Sequence, residues 1–488
     1  MKKPNIIYIL ADDMGYGDIS YLNEKCPFET KYFDQIAREG MCFTDAHSTS
    51  AVCTPSRYGI LTGRYNWRSR LKSGVVGGYT PHLIEDGRKT VANLLKDAGY
   101  YTACIGKWHL GMDWPCNGEF VSVPNFGVVE NVDYSQPIQK GPVDFGFDYY
   151  YGISGSLDMP PYVYIENKHV VEVPTRTTSD TGKRFWREGP TAPNFDHEQV
   201  LPQLTDKVLE TIEAHQEEPF FIYFPLPAPH TPILPTKEWL GKSGTNEYGD
   251  FVMMCDAMVG KVLDKIQACG LEEDTIVIYT SDNGCSPCAN YKELEAKGHN
   301  PSYIFRGTKA DIYEGGHRIP LLIKWPQAIP ARSHCEEPVC LVDLMATMAE
   351  VLSITLPDDM GEDSVSALGL WKGGKDYARE AVVHQSIDGS LSIRKGKYKL
   401  EMCKGSGGWS APMPDSKEEE ALSTFQLYDL EADVREQHNI YDQQPDVVQE
   451  LRTLLTRYVK EGRSTPGVPQ QNNGAAVWST IRWIEEEA

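Results

Sequence analysis

Acidic and amide side chains follow two apolar segments that are predicted to form buried strands. Asp12 and Asp13 come directly after the isoleucine-rich run at 3–10, and Asp282 and Asn283 follow the apolar run at 275–280. Ligands of open parallel sheets gather beyond the carboxyl ends of the strands. A mixed carboxylate and amide set fits a hard divalent cation, Ca²⁺ better than Mg²⁺, because calcium tolerates irregular coordination. A solvated polar turn is the alternative for either segment alone.

Basic side chains and histidines follow other predicted strands. Lys107 and His109 come after the run at 100–105, and they point to the same side if the backbone stays extended. His230 lies between two prolines that restrict its backbone, and Lys309 lies shortly before paired glycines. Such residues suit the binding of a tetrahedral anion and the transfer of a proton. A surface lysine beside a packed histidine is the alternative for Lys107 and His109, and an ordinary turn histidine is the alternative for His230.

Cys53 opens a segment that reads Cys-Thr-Pro-Ser-Arg, ending at Arg57, and Leu-Thr-Gly-Arg follows at 61–64. A buried thiol before a proline-started helix is one interpretation of this pattern. The alternative is a chemical role for Cys53, with Arg57 as its charged neighbour.

Together these motifs resemble, in their order, the signatures of the formylglycine-dependent (type I) sulfatases. The matching segments are 12–13, 53–64, Gly-Lys-Trp-His at 106–109, Pro-His-Thr-Pro at 229–232, Ser-Asp-Asn-Gly at 281–284, Arg-Gly-Thr-Lys at 306–309 and Glu-Gly-Gly at 314–316. A C-terminal signature at 427–430, followed by Asp433, Glu436 and Asn439, also looks like that of the family. The resemblance implies that a formylglycine-generating enzyme oxidises Cys53 to an aldehyde, which becomes the nucleophile.

The resemblance also implies a role for each matched side chain. One Ca²⁺ would be bound by five residues: Asp12, Asp13, modified Cys53, Asp282 and Asn283. Arg57 would hold the formylglycine and buffer its charge. The sulfate or the nucleophile would be contacted by three more: Lys107, His109 and Lys309. His230 would protonate the leaving group.

The expected reaction is hydrolysis of a sulfate ester, with a sulfated carbohydrate as the preferred substrate. The aromatic stretch at 149–164 could stack on sugar rings, although packing within a large loop explains it equally well. Two alternatives remain at this point. One is a phosphonate monoester or phosphodiester hydrolase of the same superfamily, and the other is a catalytically silent relative that binds sulfated glycans.

Alternating strands and helices predict an α/β fold around a mostly parallel sheet. The resemblance implies an alkaline-phosphatase-like sandwich with a smaller C-terminal domain. We predict a catalytic domain at 1–357, with a long loop insertion at about 117–202. A C-terminal unit at 358–488 should contain short antiparallel strands and a helix over 445–461.

Net charge and composition limit the kinds of partner that the protein can bind. The 69 acidic and 47 basic residues give a formal net charge of −22, which disfavours nucleic acid and anionic membrane surfaces. No stretch approaches the ~20 apolar residues of a membrane helix. The first residues lack the apolar core of a signal peptide, so we expect a periplasmic or secreted enzyme whose leader has been removed, or else a cytoplasmic one.

Twelve cysteines are too few for a disulfide scaffold in a chain of 488 residues. Cys285 and Cys288 have the spacing of a zinc or redox pair, but a local disulfide or two thiols is the preferred interpretation. Cys335 and Cys340 could also pair.

Overall fold

Strand β1 (Asn5–Ala11) lies at the centre of a ten-stranded sheet and is buried along its whole length. The structure is a computed structural model and describes residues 3–485. Strand β1 pairs in parallel with β10 (Phe220–Pro225) on one side and with β11 (Thr275–Ser281) on the other. Continuous apolar runs such as these are typical of parallel strands that are covered on both faces.

Further strands extend this sheet in both directions. Beyond β11 lie β12 (Leu321–Lys324), β2 (Met41–Phe43) and β13 (Ser333–Cys335), and beyond β10 lie β4 (Tyr101–Lys107), β5 (Tyr149–Ile153), β6 (Ile165–Glu166) and β7 (His169–Val170). Strand β12 runs antiparallel to both of its neighbours. The prediction of a large, mostly parallel sheet is confirmed. The segment at 41–47 forms two separate strands, because β3 (Ala46–His47) leaves the sheet and pairs with β14 (Val339–Cys340).

Helices flank the sheet. They are α1 (Lys31–Glu39), α2 (Cys53–Thr62), α3 (Val91–Asp97), α4 (Val200–Ala214), α5 (Glu247–Ala268), α6 (Tyr291–Ala296), α7 (Glu314–His317) and α8 (Leu344–Val351). The longest, α5, begins at a cap in which the Asn246 side chain accepts hydrogen bonds from two backbone N–H groups. Within residues 3–485, no helix is both long and apolar enough to cross a membrane.

The segment at 117–202 is more regular than predicted. It contributes β5, β6 and β7 to the main sheet and forms a separate hairpin of β8 (Arg176–Asp180) and β9 (Trp186–Thr191). These strands have only two to six residues, too few for a clear hydrophobic period. The idea that the aromatic stretch offers sugar platforms is wrong for most of its rings, since Tyr150, Tyr162 and Tyr164 are buried in the core.

The C-terminal part contains an antiparallel sheet of β15 (Val382–Gln385), β16 (Leu391–Lys395), β17 (Tyr398–Glu401) and β18 (Gln426–Asp429). The helix α11 (Pro445–Glu461) covers it with Leu451 and Leu455, which share one hydrophobic cluster with Ile393 and Leu400. The short helix α9 (Leu368–Trp371) precedes the first strand of this sheet in the sequence, and the short helix α10 (Lys417–Glu420) lies between β17 and β18. This confirms the predicted small unit of antiparallel strands and a helix.

All twelve cysteines are free thiols in the part of the chain that the structure describes. The two suggested pairs, Cys285 with Cys288 and Cys335 with Cys340, are therefore not bonded.

Candidate active site

The two predicted pairs of oxygen donors meet at one edge of the sheet. Asp12 and Asp13 follow the last residue of β1, and Asp282 and Asn283 follow the last residue of β11, and these two strands pair in register up to their ends. The Asp13 N–H donates to Asp282 Oδ1 at 3.2 Å, and Asn283 Nδ2 donates to Asp13 Oδ1 at 2.8 Å. All four residues are buried. A polar cluster of this kind needs a positive partner.

Gly284 lets the loop after β11 pack directly on another loop of the site. Its N–H donates to Gly316 O at 2.9 Å, and a Cβ atom at position 284 would lie 1.9 Å from Gly315 O. Only glycine can approach a backbone carbonyl so closely. The Ser-Asp-Asn-Gly and Glu-Gly-Gly motifs are therefore two sides of one contact.

The oxygen donors fit a divalent cation. Among the described residues, Asp12 Oδ1 and Asn283 Oδ1 are buried and have no hydrogen-bond partner. An unpaired buried acceptor costs about 1–3 kcal/mol, and carboxylate and amide oxygens are the ligands that hard cations take. The donor set is therefore suited to a cation placed between the ends of β1 and β11.

Cys53 is the first residue of α2, and it is buried. A proline in the first turn favours the start of a helix, here at Pro55. The helix dipole favours negative charge at this end, which suits a nucleophile. Next to it, the Thr54 hydroxyl donates to His109 O at 3.0 Å, and this bond fixes the distance between two of the predicted motifs.

Arg57 lies one turn further along α2 and ties the helix to both strand ends. Its Nε and Nη2 donate to Asp282 Oδ2 at 3.1 and 2.7 Å, and its Nη1 donates to Lys107 O at 3.0 Å. The Nη2 atom also lies 3.7 Å from Asp12 Oδ1. The guanidinium is completely buried. Arg57 thus neutralises part of the carboxylate cluster, a role that the sequence did not predict.

Lys107 is the last residue of β4, and its Nζ donates to Asp12 Oδ2 at 2.6 Å. The expected extended backbone from Lys107 to His109 is wrong, because His109 has a φ of 54°. His109 Nε2 lies 2.8 Å from Val76 O, and its Nδ1 is buried without a partner among residues 3–485. Burial, followed by Lys107 and Arg57, holds the pKa of His109 well below its usual value, so the ring is neutral.

Lys309 and His230 approach Asp13 from the open side. The Lys309 Nζ lies 2.6 and 2.8 Å from the two carboxylate oxygens, and His230 Nε2 lies 3.6 Å from Oδ2. Burial and Lys309 act to lower the pKa of His230, but the carboxylates of Asp13 and Asp12 outweigh them and raise it to about 9. His230 is therefore protonated at neutral pH in this arrangement, as a proton donor must be.

The close spacing of these charges shifts the pKa values of two of the carboxyl groups. Burial acts to raise the pKa of Asp12, but Lys107 and His230 hold it well below its usual range. Burial and the neighbouring Asp12 raise the pKa of Asp282 to about 6, against the effect of Arg57. One carboxyl of a close pair is expected to behave in this way when no cation lies between the two.

Every predicted site residue lies in this one region. The ligand atoms of Asp12, Asp13, Cys53 and His230 lie within 4.8 Å of one another. Five more of the predicted residues contact Asp12 or Asp13 directly: Arg57, Lys107, Asp282, Asn283 and Lys309. His109 is linked to Cys53 through its neighbour Thr54, whose hydroxyl donates to His109 O.

Sequence reasoning missed a buried support behind the oxygen donors. Asp18 accepts hydrogen bonds from the Gly15 N–H at 2.8 Å and from the Tyr248 hydroxyl at 2.5 Å, and its other oxygen lies 2.7 Å from His299 Nε2. Tyr248 also donates to Asp13 O at 3.1 Å. The only signal in the sequence is the Gly-x-Gly-Asp pattern at 15–18, which is typical of a tight, side-chain-capped loop.

A second unpredicted support links the C-terminal sheet to the site. Glu436 accepts a hydrogen bond from the Glu314 N–H at 2.8 Å and contacts Lys399 Nζ at 2.7 Å. Glu314 opens the Glu-Gly-Gly turn that packs on Gly284. The C-terminal signature noticed in the sequence therefore positions an active-site loop from behind.

This fold and site define a class of protein: an alkaline-phosphatase-like hydrolase that handles an anionic ester beside clustered carboxylates and cations. A family model described as Sulfatase matches residues 4–354. The chain belongs to the sulfatase family, and it is a sulfuric ester hydrolase.

Individual relatives agree with this assignment. An N-acetylgalactosamine-6-O-sulfatase of Bacteroides thetaiotaomicron is 33% identical over 496 residues, which cover 93% of this chain and 93% of the relative. The N-acetylgalactosamine-6-sulfatase of Canis lupus familiaris is 29% identical over 417 residues, covering 84% of this chain and 73% of the relative. A solved structure from work on glycosaminoglycan metabolism by B. thetaiotaomicron has a TM-score of 0.81 at 31% identity and covers 93% of this chain and 99% of that chain.

Proposed function

We propose that this sulfatase removes sulfate from a carbohydrate, with a 6-sulfated N-acetylgalactosamine unit as the first candidate substrate. The observation that carries the proposal is the convergence of Asp12, Asp13, Cys53 and His230 within 4.8 Å. The choice of sugar is supported by relatives that act on N-acetylgalactosamine 6-sulfate according to their names.

Cys53 would act after oxidation to formylglycine by a maturation enzyme. The hydrated aldehyde carries two hydroxyl groups, and one of them forms a bond to sulfur while the bond from sulfur to the sugar oxygen breaks. The second hydroxyl then loses its proton, the bond from carbon to the sulfate oxygen breaks, and the aldehyde is restored. A serine in this position lacks the second hydroxyl and would keep the sulfate, which explains the need for the modified residue.

Asp12, Asp13, Asp282, Asn283 and the modified Cys53 would hold one Ca²⁺. When bound, the cation would favour ionisation of the attacking hydroxyl and neutralise charge on the sulfate. In the structure, Lys107 and Lys309 contact the same carboxylates that the cation would use. Binding of the cation would therefore free positive charge for the substrate.

The cationic side chains would stabilise the negative charge that grows on the sulfate oxygens in the transition state. Lys107 and Lys309 would take this role, and Arg57 would hold the modified residue. His109 is neutral and its Nε2 proton points to Val76 O, so its Nδ1 can accept a hydrogen bond without adding charge. His230 carries a proton and would give it to the departing sugar oxygen.

The test compares the mature protein with a Cys53→Ala variant on one saccharide that bears a 6-sulfate on N-acetylgalactosamine. We expect sulfate release from the mature protein alone, and peptide mass spectrometry should show residue 53 lighter by the thiol-to-aldehyde difference. Sulfate release by the variant would overturn the role of Cys53. A paired assay on aryl sulfate and aryl phosphate esters would overturn the reaction type if the phosphate ester were strongly preferred, and binding without turnover by protein with confirmed formylglycine would indicate a silent relative.

A further inference from the structure

A second cleft lies on the hairpin of β8 and β9, outside the site described above. It has a volume of about 420 Å³, and its lining includes Arg176, Arg184, Trp186, Asn194, Asp196 and His197. Ligand sites of small molecules have volumes of about 300–1,000 Å³, so the cleft is large enough for a sugar unit. None of these residues takes part in the chemistry proposed for Cys53.

Two polar atoms of the cleft residues have no partner among the residues that the structure describes. They are His197 Nε2 and Asn194 Oδ1, and both are buried. His197 is only 7% exposed, and the pKa of its imidazole is lowered to about 3 by burial and then by Arg176 and Arg184. A buried imidazole nitrogen and a buried amide oxygen that lack partners are costly in a folded protein unless something else supplies hydrogen bonds. A sugar hydroxyl would do so once the side chain turns its buried atom toward the cleft.

An aromatic ring and a guanidinium complete the set. Trp186 stacks on His197 with ring centroids 3.9 Å apart and an angle of 16°, so the flat surface of the cleft is rigid. Arg184 is neutralised by Asp180 and Glu198. Arg176 donates to Phe195 O at 2.9 Å and forms no ion pair with a described carboxylate. One guanidinium is therefore available for an anionic group, and the carboxylate of Asp196 is the only acid in the lining.

The hairpin also contacts the loop that carries His230. The Ile233 N–H donates to Lys183 O at 3.0 Å, and the Lys183 side chain reaches Glu247 at 2.5 Å and Glu293 at 3.2 Å. The tip of the hairpin is thus fixed three residues from the proposed leaving-group acid. A saccharide in the cleft would therefore be held by the same hairpin that contacts the loop of the proposed leaving-group acid.

We propose that this cleft binds an acidic sugar unit, bearing a carboxylate or a sulfate, of the same saccharide chain that is desulfated at Cys53. The sugar hydroxyls would pair with His197 and Asn194, and the acidic group would pair with Arg176. This inference rests on the proposed function for its choice of saccharide.

The experiment uses Cys53→Ala full-length protein, which cannot turn over its ligand, and calorimetric titration with three tetrasaccharides. These are a 6-sulfated chondroitin tetrasaccharide, the same compound without sulfate, and a neutral N-acetylglucosamine tetrasaccharide. We expect Arg176→Gln to weaken the acidic ligands at least tenfold. Retained binding of the unsulfated compound identifies the carboxylate as the recognised group, and binding of the sulfated compound alone identifies the sulfate.

The matched control is Arg332→Gln. Arg332 directly precedes β13, which forms the edge of the main sheet opposite β7, so this variant removes the same charge at the other edge of the sheet. Unchanged affinity in Arg176→Gln, equal loss in the control, or equal binding of the neutral compound would overturn the inference. A Trp186→Phe variant, which keeps a ring in the cleft, provides a second measurement if Arg176→Gln does not fold. Turnover of a small aryl sulfate by mature protein reports on Cys53 separately, so a failure of the catalytic proposal and a failure of the cleft are distinguishable.

Discussion

Arg57 donates two hydrogen bonds to a single oxygen of Asp282, although the two residues are 225 positions apart in the sequence. Both side chains are fully buried. The contact joins the helix that begins at Cys53 to the strand end that offers oxygen donors. A buried ion pair therefore helps to hold the proposed nucleophile in place relative to the proposed cation site.

Removal of this guanidinium should destabilise the protein strongly. We expect Arg57→Ala to lower the free energy of unfolding by about 3–5 kcal/mol, because it leaves a buried carboxylate without its partner. Urea denaturation followed by tryptophan fluorescence measures the change. Arg332→Ala, an exposed arginine on the far edge of the sheet, should stay within about 0.5 kcal/mol. A similar small change in Arg57→Ala would show that the pair contributes little to stability.

Chelation should inactivate the enzyme without unfolding it. Lys107 and Lys309 contact Asp12 and Asp13 in the structure, so these carboxylates keep positive partners when the cation is removed, and we expect the fold to persist. Added Ca²⁺ should raise the midpoint of thermal unfolding, since a ligand at 100 times its Kd stabilises by about 2.7 kcal/mol. Asn283→Ala should reduce this rise. A larger effect of Mg²⁺ than of Ca²⁺ would contradict the assignment of calcium.

The role of His230 should depend on the leaving group. A sugar alcohol needs a proton as it departs, whereas a nitrophenolate leaves readily without one. We therefore expect His230→Gln to lower kcat on a saccharide sulfate by 10²–10⁴-fold, and to lower it far less on 4-nitrophenyl sulfate. Stopped assays on both substrates give the comparison. Equal losses on the two substrates would exclude a leaving-group acid.

The charge of His230 also predicts how stability depends on pH. Its pKa in the folded, metal-free protein is about 9, above the value of about 6.5 in an unfolded chain. The protonated ring therefore stabilises the fold fully below pH 6.5, and this contribution is lost as the pH rises through 9. Chelator-treated protein should become less stable across that window. His230→Gln should remove this part of the slope, and an unchanged slope would contradict the raised pKa.

The C-terminal sheet should prove necessary for the active-site loop. Glu436→Ala removes the acceptor of the Glu314 N–H and one of the three carboxylates that contact the buried Nζ of Lys399. We expect a loss of about 1–3 kcal/mol in unfolding free energy, because a buried donor is left unpaired, and a lower kcat. Glu431→Ala, an exposed acid five residues earlier, is the control and should have little effect. If Glu436→Ala keeps full activity, the loop does not depend on this contact.

Much of the active site was predictable because its chemistry lies at strand ends. The runs before Asp12 and Asp282 are apolar and continuous, so their strands and the adjacent polar residues are visible in the sequence. Parallel pairing then brings the two ends together without further information. The ordered motifs supplied Cys53, Lys107, His230 and Lys309 by resemblance.

Contacts between distant and individually ordinary residues were not predictable. Asp18, Tyr248 and His299 form one buried network, yet no spacing in the sequence relates them. The cleft around Trp186 depends on strands too short to show a hydrophobic period. The extended backbone expected at His109 failed because β4 ends at Lys107, and a left-handed residue leaves no sequence signal when it is not glycine.

The burial of Cys53 has a consequence for the order of events during biosynthesis. Its side chain is only 2% exposed, and Thr54, on its own helix, is bonded to the loop at His109. If a maturation enzyme acts on Cys53 as proposed, it could not reach the segment at 53–64 once α2 has packed into the fold. Maturation would then compete with folding, and a chain that folds first would keep its cysteine. Slower folding, rather than greater stability, is the property that should raise the yield of active enzyme.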